Sequence, residues 1–410
     1  MTNNNDKKVL NVPPSTDKGN AIRNVPPLRF PEFSGEWKEE QLDSIATLSK
    51  GVGISKEQLS EVGEPCILYG ELYTKYKSEI IKQIESKTDI DCSKLKRSKA
   101  NDVIIPCSGE TAVDIATARC VPFDNILFGG DLNVISLHKY DGAFMSYQLN
   151  GKRKYDIARV AQGVSVVHLY GDHLKAIKTY NPTLPEQQKI AKLLSLLDER
   201  IATQNKIIED LNKLKSAIIE MEYTHKTKGN THIGDFIEQT SKRNKDSAIQ
   251  NVLSVSNSQG FIQQCEQFEN RSVASDDISN YKIVERNCFA FNPARINVGS
   301  IARLTTFNRG IVSPMYICFR TKDNLFPEYL DYYFESKQFF TEIQKRLEGS
   351  VRQCLSYEGL CNIPLCIPTV EVQQQTGKRL STLVQEIKLE IDFLELLQKQ
   401  KKFLLHQMFI

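Results

Sequence analysis

The sequence predicts an α+β fold in which two mixed domains are joined by two long helices that form an intramolecular antiparallel coiled coil, with pseudo-two-fold symmetry. Three observations predict it: a composition typical of globular proteins, a long internal repeat, and an apolar seam of helical period at the end of each repeat. The chain has 410 residues, of which 40% are hydrophobic and 25% are charged. That length favours two domains with connecting elements over a single domain.

Charge and apolar patterning exclude several classes of protein. Lys and Arg number 53 against 50 Asp and Glu, a formal net charge of +3, so any surface for nucleic acid has to be local. No segment is apolar enough to span a membrane, and residues 1–24 lack the apolar core of a signal peptide. The ten cysteines are not spaced as zinc ligands. We therefore expect a soluble cytoplasmic protein with reduced thiols, no metal site and a disordered segment over residues 1–25.

Two parts of the chain are related by a constant shift of 186 residues, which is 368 − 182 for the prolines that start the matching segments. The residues that the shift aligns include Gln187-Gln188 with Gln373-Gln374, Leu174 with Leu360, Leu169 with Leu355, and Gly163 with Gly349. A weaker echo pairs residues 42–46 with residues 233–237. The alternative is a pair of helices alike only in composition, but the constant register favours duplication. Two repeats also exclude a solenoid.

Each repeat ends in a long amphipathic pattern. Between Glu186 and Tyr223 apolar residues recur at steps of three and four, and the second copy repeats this seam from Leu380 to Met408. Thr183 followed by Glu186 predicts a capping box at the start of the first helix. A helix of about 40 residues is about 60 Å long, so we expect the two seams to pair with each other. The alternative is that each helix packs only on its own domain.

These helices set the expected domain limits. We predict long helices over residues 182–229 and 368–410, and mixed domains over residues 26–181 and 230–367. Short apolar runs between Gly, Asn and Pro turns predict strands in the mixed domains. The runs are residues 102–105, 125–128, 134–137, 286–291 and 310–312. Their order in a sheet does not follow from the pattern.

Motifs for covalent chemistry are incomplete in this sequence. Gly129-Gly130 lacks the rest of a phosphate-binding loop. Asn292-Pro293-Ala294-Arg295 matches only part of the Asn-Pro-Pro-aromatic loop of amino-methyltransferases, and no glycine-rich cofactor loop precedes it. The histidines are isolated along the chain, without a recognisable Ser/His/Asp set. We therefore expect no catalytic residue.

Several motifs together resemble the specificity subunit of type I restriction–modification enzymes. They are Pro27-Leu28-Arg29-Phe30-Pro31-Glu32-Phe33 with Glu36-Trp37, Tyr69-Gly70-Glu71-Leu72, residues 104–111 with Asp114-Ile115, and Pro182-Thr183-Leu184-Pro185-Glu186-Gln187-Gln188-Lys189-Ile190 with Leu197-Asp198. The resemblance covers nearly the whole chain from Pro26. The second copy departs from it, since residues 368–374 lack the Pro-Glu-Gln-Gln order and residues 292–297 replace the Ser-Gly-Glu-Thr segment.

The resemblance implies a non-catalytic DNA-recognition subunit. In this family two target recognition domains, here 26–181 and 230–367, each bind half of a split, asymmetric site in double-stranded DNA, and the coiled coil sets the gap. Two methyltransferase subunits that use S-adenosylmethionine dock on the chain. Motor-nuclease subunits that use ATP and Mg join them, while this chain binds no cofactor itself. The alternatives are an adenine DNA methyltransferase with a built-in specificity domain, and a coiled-coil interaction protein without a DNA role.

Base recognition needs hydrogen-bonding side chains at loop tips, with cations nearby for phosphates. In the first domain the candidates are Lys50, Lys75, Tyr76, Ser108, Glu110, Thr111, Lys152, Arg153, Lys154 and Gln162. In the second domain they are Lys242, Arg243, Asn244, Ser256, Asn257, Asn292, Arg295, Asn297, Arg303, Arg346, Ser350, Arg352 and Gln353. For each residue the alternative is a solvated charge or a turn.

Overall fold

The computed structural model of the chain describes residues 24–163, 165–223, 231–257, 259–264, 277–349 and 353–410. It divides into two compact units: unit 1 is Met1–Thr203 with Leu394–Ile410, and unit 2 is Gln204–Phe393. The division passes through both long helices, so each unit contains part of each. Residues 1–23 of the predicted disordered segment lie outside the described residues.

Unit 1 is an α+β unit. Its strands are β1 (Lys38–Gln41), β2 (Ala46–Lys50), β3 (Glu64–Ile67), β4 (Ser86–Thr88), β5 (Lys96–Arg97), β6 (Asp102–Pro106), β7 (Ser108–Gly109), β8 (Arg119–Val121), β9 (Leu127–Phe128), β10 (Leu132–Leu137), β11 (Val167–His168) and β12 (Lys178–Asn181). Its helices are α1 (Leu42–Ile45), α2 (Glu71–Thr74), α3 (Ala112–Ile115), α4 (Gly142–Asn150), α5 (Lys154–Val160), α6 (Gly171–Lys175) and the first part of α7 (Leu184–Tyr223).

Unit 2 is built from the same kinds of element. Its strands are β13 (Ile237–Thr240), β14 (Val252–Ser256), β15 (Gly260–Gln263), β16 (Lys282–Glu285), β17 (Phe289–Phe291), β18 (Ile301–Arg303), β19 (Arg309–Val312) and β20 (Ile317–Thr321). Its helices, besides the end of α7, are α8 (Ile233–Phe236), α9 (Pro327–Tyr333), α10 (Lys337–Gln344), α11 (Tyr357–Cys361) and the first part of α12 (Val370–Gln407). The predicted strand regions and two long helices are present, and residues 224–229 of the first predicted helix lie outside the described residues.

The two units share one sheet topology among the described residues. An antiparallel sheet has the order β2–β10–β6–β8 in unit 1 and β13–β20–β17–β18 in unit 2. A second sheet has the order β4–β3–β9–β5 or β15–β14–β19–β16, and in each case its central pair is parallel. Corresponding strands follow one another in the same order along the chain, so the structure extends the duplication to domains whose sequences have diverged.

Local geometry preserves the 186-residue register. Helices α6 and α11 begin at Gly171 and Tyr357 and end at Lys175 and Cys361, a shift of 186 at both ends. Upstream, Gly163 and Gly349 have φ angles of 119° and 102°, in the left-handed region that favours glycine. The alignment upstream of the long helices therefore reflects a repeated backbone conformation.

Strand β6 shows how the apolar runs are used in unit 1. All five of its residues are buried, because neighbouring side chains enter different core clusters. Val103 and Ile105 join the cluster that includes Met145 of α4, whereas Ile104 joins the cluster around Phe128. Side chains alternate across a strand, so a sheet covered on both faces requires a continuous apolar run.

The long helices pair with each other in antiparallel orientation. In unit 1 the ammonium of Lys401 lies 2.6 Å from a carboxylate oxygen of Asp198. In unit 2, Arg379 lies 3.5 Å from Glu222. Within unit 2, Gln204 also contacts Glu390, so the numbers fall along α12 as they rise along α7. This pairing confirms the predicted intramolecular coiled coil.

Two equivalent glutamines fix the beginnings of these helices. The Gln187 side chain accepts from the Asp141 N–H at 2.9 Å and donates to the Pro182 carbonyl at 2.8 Å. The Gln373 side chain accepts from the Phe326 N–H at 2.8 Å and donates to the Pro368 carbonyl at 2.9 Å. Asp141 and Phe326 are the N-cap residues of α4 and α9. Each glutamine therefore ties its long helix to the start of a neighbouring helix in its own unit, α4 in unit 1 and α9 in unit 2.

Glu186 has a different role from the predicted capping box. Its carboxylate accepts from Arg29 at 2.7 Å through both Nε and Nη2, and from the Trp37 indole N–H at 3.3 Å. A buried carboxylate gains more from a bidentate guanidinium than from one backbone N–H. The opening Arg29–Trp37 segment and the Pro-Glu-Gln-Gln segment therefore contact each other directly.

The end of α12 is held to unit 1 by a buried charge cluster. Lys401 lies 2.6 Å from both Glu79 and Asp198, and the Tyr147 hydroxyl donates to Asp198 at 2.7 Å. Burial raises the pKa of Glu79, although Lys401 opposes this shift. Burial lowers the pKa of Lys401, but the two carboxylates outweigh it, so its net shift is upward. Lys401 is therefore a half-buried cation shared by two buried acids.

The described residues bear on two questions that the sequence raised, a membrane-spanning helix and a metal site. None of the helices there has an apolar stretch sufficient to cross a bilayer. Over the same residues, no cluster of three His, Cys, Asp or Glu side chains is arranged to hold a metal ion. The described cysteines are free thiols, while Cys265 lies outside the described residues.

Candidate nucleic-acid interface

In each unit, two segments that are far apart in sequence meet just after one strand of the antiparallel sheet. That strand is β6 in unit 1 and β17 in unit 2. In unit 1, β7 pairs with β11 so that Ser108 is opposite His168, and the Leu169 N–H donates to the Cys107 carbonyl at 2.8 Å. We call residues 106–111 with residues 162–170 the strand-end site of unit 1. The hydrogen-bonded backbone gives its side chains a fixed frame.

The same frame recurs in unit 2, 186 residues later. The Leu355 N–H donates to the Pro293 carbonyl at 3.0 Å, which is the counterpart of the Leu169 to Cys107 bond. The backbone bridge between Gln162 and His168 has its counterpart between Glu348 and Cys354. We call residues 292–297 with residues 348–349 and 353–355 the strand-end site of unit 2.

In unit 1 the site gathers several side chains predicted to bind DNA. The Ser108 hydroxyl lies 3.2 Å from a carboxylate oxygen of Asp131 and 3.2 Å from Nδ1 of His168. The ammonium of Lys50 lies 5.7 Å from the centre of the Tyr170 ring, which neighbours the His168 ring. The exposed Gln162 shares the backbone bridge with His168. Lys50, Ser108 and Gln162 therefore belong to one surface.

A cavity of about 690 Å³ opens beside this surface. Glu110 and Ser108 line it together with Tyr73, whose hydroxyl donates to the Ser108 carbonyl at 2.9 Å. Burial, followed by the charge of Asp114, raises the pKa of Tyr73. Thr111 accepts from the Asp114 N–H at 3.1 Å and caps α3. Thr111 thus supports the turn on which Glu110 is exposed.

Opposite charges flank the buried end of this site. Burial raises the pKa of the Cys107 thiol to about 11, while the Lys50 cation lowers it and the Asp131 carboxylate raises it. Both ionic groups therefore act on the Cys107 side chain. The surface can present a cation to phosphate and hydrogen-bonding groups to base edges.

The expectation that all six histidines are isolated is wrong. His168 and His173 lie on either side of Tyr170, with ring centres 6.3 Å and 5.6 Å from it. Ser108 lies between Asp131 and His168, whereas a hydrolase triad has its histidine between the other two residues. Strand pairing joins Ser108 and His168, which are 60 positions apart. In the sequence, the 186-residue shift that aligns Leu169 with Leu355 was the signal that could have drawn attention to this segment.

In unit 2 the corresponding loop is shaped by its own side chains. The buried Asn292 accepts from the Ala294 N–H at 3.1 Å, and the Ser300 hydroxyl donates to the Val255 carbonyl at 3.2 Å. A Cβ on Gly299, whose φ is 90°, would lie 3.7 Å from the Asn257 carbonyl oxygen. The loop therefore brings the end of β14, with Ser256 and Asn257, beside the predicted residues Arg295 and Asn297.

A separate basic cleft of about 760 Å³ lies in unit 2. The cations that line it are Lys242, Arg243, Lys245 and Arg309, with Asp246 as the opposing acid. Arg243 is oriented by a 2.8 Å hydrogen bond to the Asn280 side chain. Such a cleft attracts phosphate without reading sequence.

Comparison with known proteins shows what the chain is similar to. Residues 34–213 match the family model described as the type I restriction modification DNA specificity domain. The chain is 24% identical over 337 residues to the type I restriction enzyme MjaVIII specificity subunit of Methanocaldococcus jannaschii, covering 74% of this chain and 76% of the relative. It is 25% identical over 219 residues to the putative MjaX specificity subunit of that organism, covering 50% and 51%.

Solved structures show the same fold. The crystal structure of a type I restriction–modification S subunit from M. genitalium matches with a TM-score of 0.60 and 17% identity, covering 94% of this chain and 99% of that chain. A chain from a structural study of complex assembly and conformational transition of the type I system matches with a TM-score of 0.53 and 13% identity, covering 90% and 96%. The fold of the chain is therefore that of these S subunits.

Several predicted DNA-binding residues have structural roles instead. Asn244 is fully buried and exchanges two hydrogen bonds with the backbone of Ile249. Tyr76 is in a core cluster and accepts from the Glu85 N–H. Asn292 shapes its loop from within. These three residues are buried, so we remove them from the interface.

Several predicted cations have internal partners. Arg303 is held 2.7 Å from Glu328 and 3.0 Å from Asp331, so we remove it as well. Lys75 pairs with Glu71, and Arg346 pairs with Glu342. Lys75 and Arg346 are both partly exposed, so they remain candidates despite these ion pairs.

The basic run over residues 152–154 has a mixed role. Arg153 donates to the Ile410 backbone carbonyl at 3.0 Å and lies 5.3 Å from the centre of the Tyr180 ring. Lys152 and Lys154 are half-buried beside it. Arg153 therefore has internal partners in unit 1. Gln353 is exposed in unit 2. Ser350 and Arg352 lie outside the described residues.

Proposed function

We propose that the chain is a type I restriction–modification specificity subunit that reads a bipartite, asymmetric DNA sequence, with each unit binding one half-site. The observation that carries this proposal is the repeated strand-end site, which has one backbone frame and two sets of side chains. Ser108, Gln162 and His168 in unit 1 correspond to Ala294, Glu348 and Cys354 in unit 2. Equal frames with unlike hydrogen-bonding groups favour different base sequences.

Phosphate contacts would come from cations near these sites. Lys50 is exposed at the strand-end site of unit 1, and the basic cleft provides several cations in unit 2. Phosphate contacts position a protein on the duplex, whereas base contacts specify the sequence. Phosphate contacts made by a few local cations are consistent with a chain whose net charge is only +3.

The long helices would bind two methyltransferase subunits. Leu184 and Val370 occupy equivalent first positions of α7 and α12, with 42% and 39% of their surfaces exposed. Leu396 and Phe403 on unit 1, and Leu214 and Leu389 on unit 2, are also exposed. Exposed apolar residues mark protein interfaces when they cluster, and their presence in both units supports one methyltransferase per unit.

In this proposal the chain is a non-catalytic subunit that works in the cytoplasm. S-adenosylmethionine belongs to the methyltransferase partners, and ATP and Mg belong to the motor-nuclease partners. The Ser108, Asp131 and His168 arrangement orients hydrogen bonds at a surface. Methyl transfer by the purified chain alone would instead support an adenine methyltransferase with a built-in specificity domain.

The test is to map methylated adenines in host DNA with the gene present and absent. We expect a split, asymmetric motif that depends on the gene and on the methyltransferase partners. A purified complex should bind a duplex with that motif more tightly than a scrambled duplex at two salt concentrations. Absence of any gene-dependent motif would contradict the proposal.

A further inference from the structure

We propose that Nε2 of His168 is a hydrogen-bond acceptor that selects an exocyclic amino group in one half-site. The group is N6 of adenine or N4 of cytosine. This inference rests on the proposed function, because it assigns a chemical preference to the strand-end site of unit 1. It is carried by the contacts that fix the imidazole ring.

The backbone of His168 is held on both sides. Its N–H donates to the Gln162 carbonyl at 2.6 Å, and its carbonyl accepts from the Gln162 N–H at 2.9 Å. On the other side it pairs with Ser108 in the β7–β11 ladder. The side chain nevertheless is exposed. An exposed ring on a fixed backbone is suited to recognition, because little order has to be gained on binding.

Ser108 and Asp131 determine which nitrogen carries the proton. A serine hydroxyl has one hydrogen, and a carboxylate only accepts hydrogen bonds. When Ser108 donates to Asp131 at 3.2 Å, Nδ1 of His168 has to be the donor in its own 3.2 Å contact with the Ser108 oxygen. A neutral imidazole protonated at Nδ1 has its lone pair on Nε2. In that arrangement Nε2 of the neutral ring is an acceptor.

An acceptor distinguishes between base edges. In the major groove only N6 of adenine and N4 of cytosine donate hydrogen bonds, whereas N7 and O6 of guanine and O4 of thymine accept them. A lone pair on Nε2 is thus favourable opposite the amino groups and unfavourable opposite the acceptors.

The surroundings of the ring support its use at the groove edge. The Tyr170 ring lies beside it, and the ammonium of Lys50 lies 5.7 Å from the centre of that tyrosine ring. This places a cation at the ring that neighbours the imidazole, where it could bind a backbone phosphate. The equivalent position in unit 2 is Cys354, so the preference would apply to one half-site only.

The first experiment compares the methylated motifs of two variants in the complex with methyltransferase subunits. For His168→Ala we expect one position in one half-site to accept all four bases, with the other half-site unchanged. The control is His138→Ala, an exposed histidine of unit 1 that bonds Thr47 at 2.9 Å and should keep the motif. An unchanged motif in His168→Ala would overturn the inference, whereas a wild-type complex without any motif contradicts the proposed function.

The second experiment removes the amino group from the DNA at the mapped position. Duplexes carry purine in place of adenine, or pyrimidin-2-one in place of cytosine, and binding is measured at pH 8 with the whole complex. Wild-type affinity should fall by about tenfold, and His168→Ala affinity by less than about twofold. Ser108→Ala, which frees the ring to change tautomer, should show a loss between these values. Equal losses in wild type and His168→Ala would overturn the inference.

Discussion

The side-chain amide of Gln204 donates a hydrogen bond to the backbone carbonyl oxygen of Glu390 at 3.1 Å, and a second to its carboxylate. The two residues are 186 positions apart, the same shift that relates the two copies of the sequence. In an antiparallel pair of equivalent helices, a residue can meet its own counterpart only near the midpoint of the pairing. Gln204 is buried, so a polar contact marks the register of this coiled coil.

This register predicts the effect of lengthening the helices. Insertion of seven residues after Thr203 and after Phe393 keeps the seam in phase and adds about 10 Å to each helix. The preferred gap between half-sites should grow by about three base pairs, at about 3.4 Å each, while the half-site sequences stay the same. Methylation mapping reports both quantities. An unchanged gap would show that the helices do not set it, and insertion in α7 alone should abolish site-specific methylation.

Gln187→Ala and Gln373→Ala should each destabilise their own unit by about 2 kcal/mol, because a partly buried backbone N–H loses its buried acceptor. Unit 1 contains Trp37, the only tryptophan, so its fluorescence during urea unfolding measures the first variant. Hydrogen exchange in α9 measures the second. The exposed neighbours provide controls, since Gln188→Ala and Gln374→Ala should change stability little. Similar effects for all four variants would contradict the structural role.

Lys401→Met should destabilise unit 1 by about 3 kcal/mol at pH 7, because it leaves two buried carboxylates without their cation. Tryptophan fluorescence in urea is again the measurement. The exposed Lys402→Met is the matched control on the next residue. If Lys401→Met lost no more unfolding free energy than Lys402→Met, Glu79 and Asp198 would have another partner.

Glu79→Gln should alter the pH dependence of unit 1. The folded pKa of Glu79 is raised above its ordinary value of 4.5, first by burial. Its protonated form therefore favours folding: this stabilisation is full below pH 4.5 and is lost as the pH rises through the folded pKa. Glutamine cannot lose a proton, so the variant should lack this decline above pH 4.5. Parallel stability profiles for wild type and variant would contradict the raised pKa.

Lys242→Ala with Arg243→Ala should weaken binding about equally for specific and random duplexes. If both contact phosphate, the slope of log affinity against log salt should fall by about two. Lys388→Ala, an exposed lysine of α12, should leave the slope unchanged. Lys152→Ala with Lys154→Ala tests the other basic run while sparing the structural Arg153. An unaltered slope for either pair would remove that pair from the interface.

The long helices could be predicted because their signal is local. Apolar steps of three and four residues, as at Ile190 and Leu194, determine which face of a helix is buried regardless of what covers it. The constant shift also located equivalent turns, such as those at Gly163 and Gly349. The strand order could not be predicted, because β pairing joins residues far apart in sequence.

The site was less predictable because residue type does not fix side-chain direction. Asn244 and Arg303 are good hydrogen-bonding residues in sequence, yet internal partners satisfy both. Glu186 fits a local capping rule, but Arg29 provides a stronger partner 157 residues away. His168 became a candidate only when strand pairing placed it opposite Ser108.

The order in which the two units become complete during synthesis follows from the path of the chain. Unit 2 is one uninterrupted stretch, Gln204–Phe393, whereas unit 1 needs Leu394–Ile410 as well as its early residues. Phe409 lies 6.3 Å from the Trp37 ring and 5.2 Å from the Phe144 ring, by ring centres. The unit that is translated first is therefore finished last. A ribosome product that stops before Leu394 lacks Phe409 and leaves the Trp37 cluster open, although every residue of unit 2 has been translated.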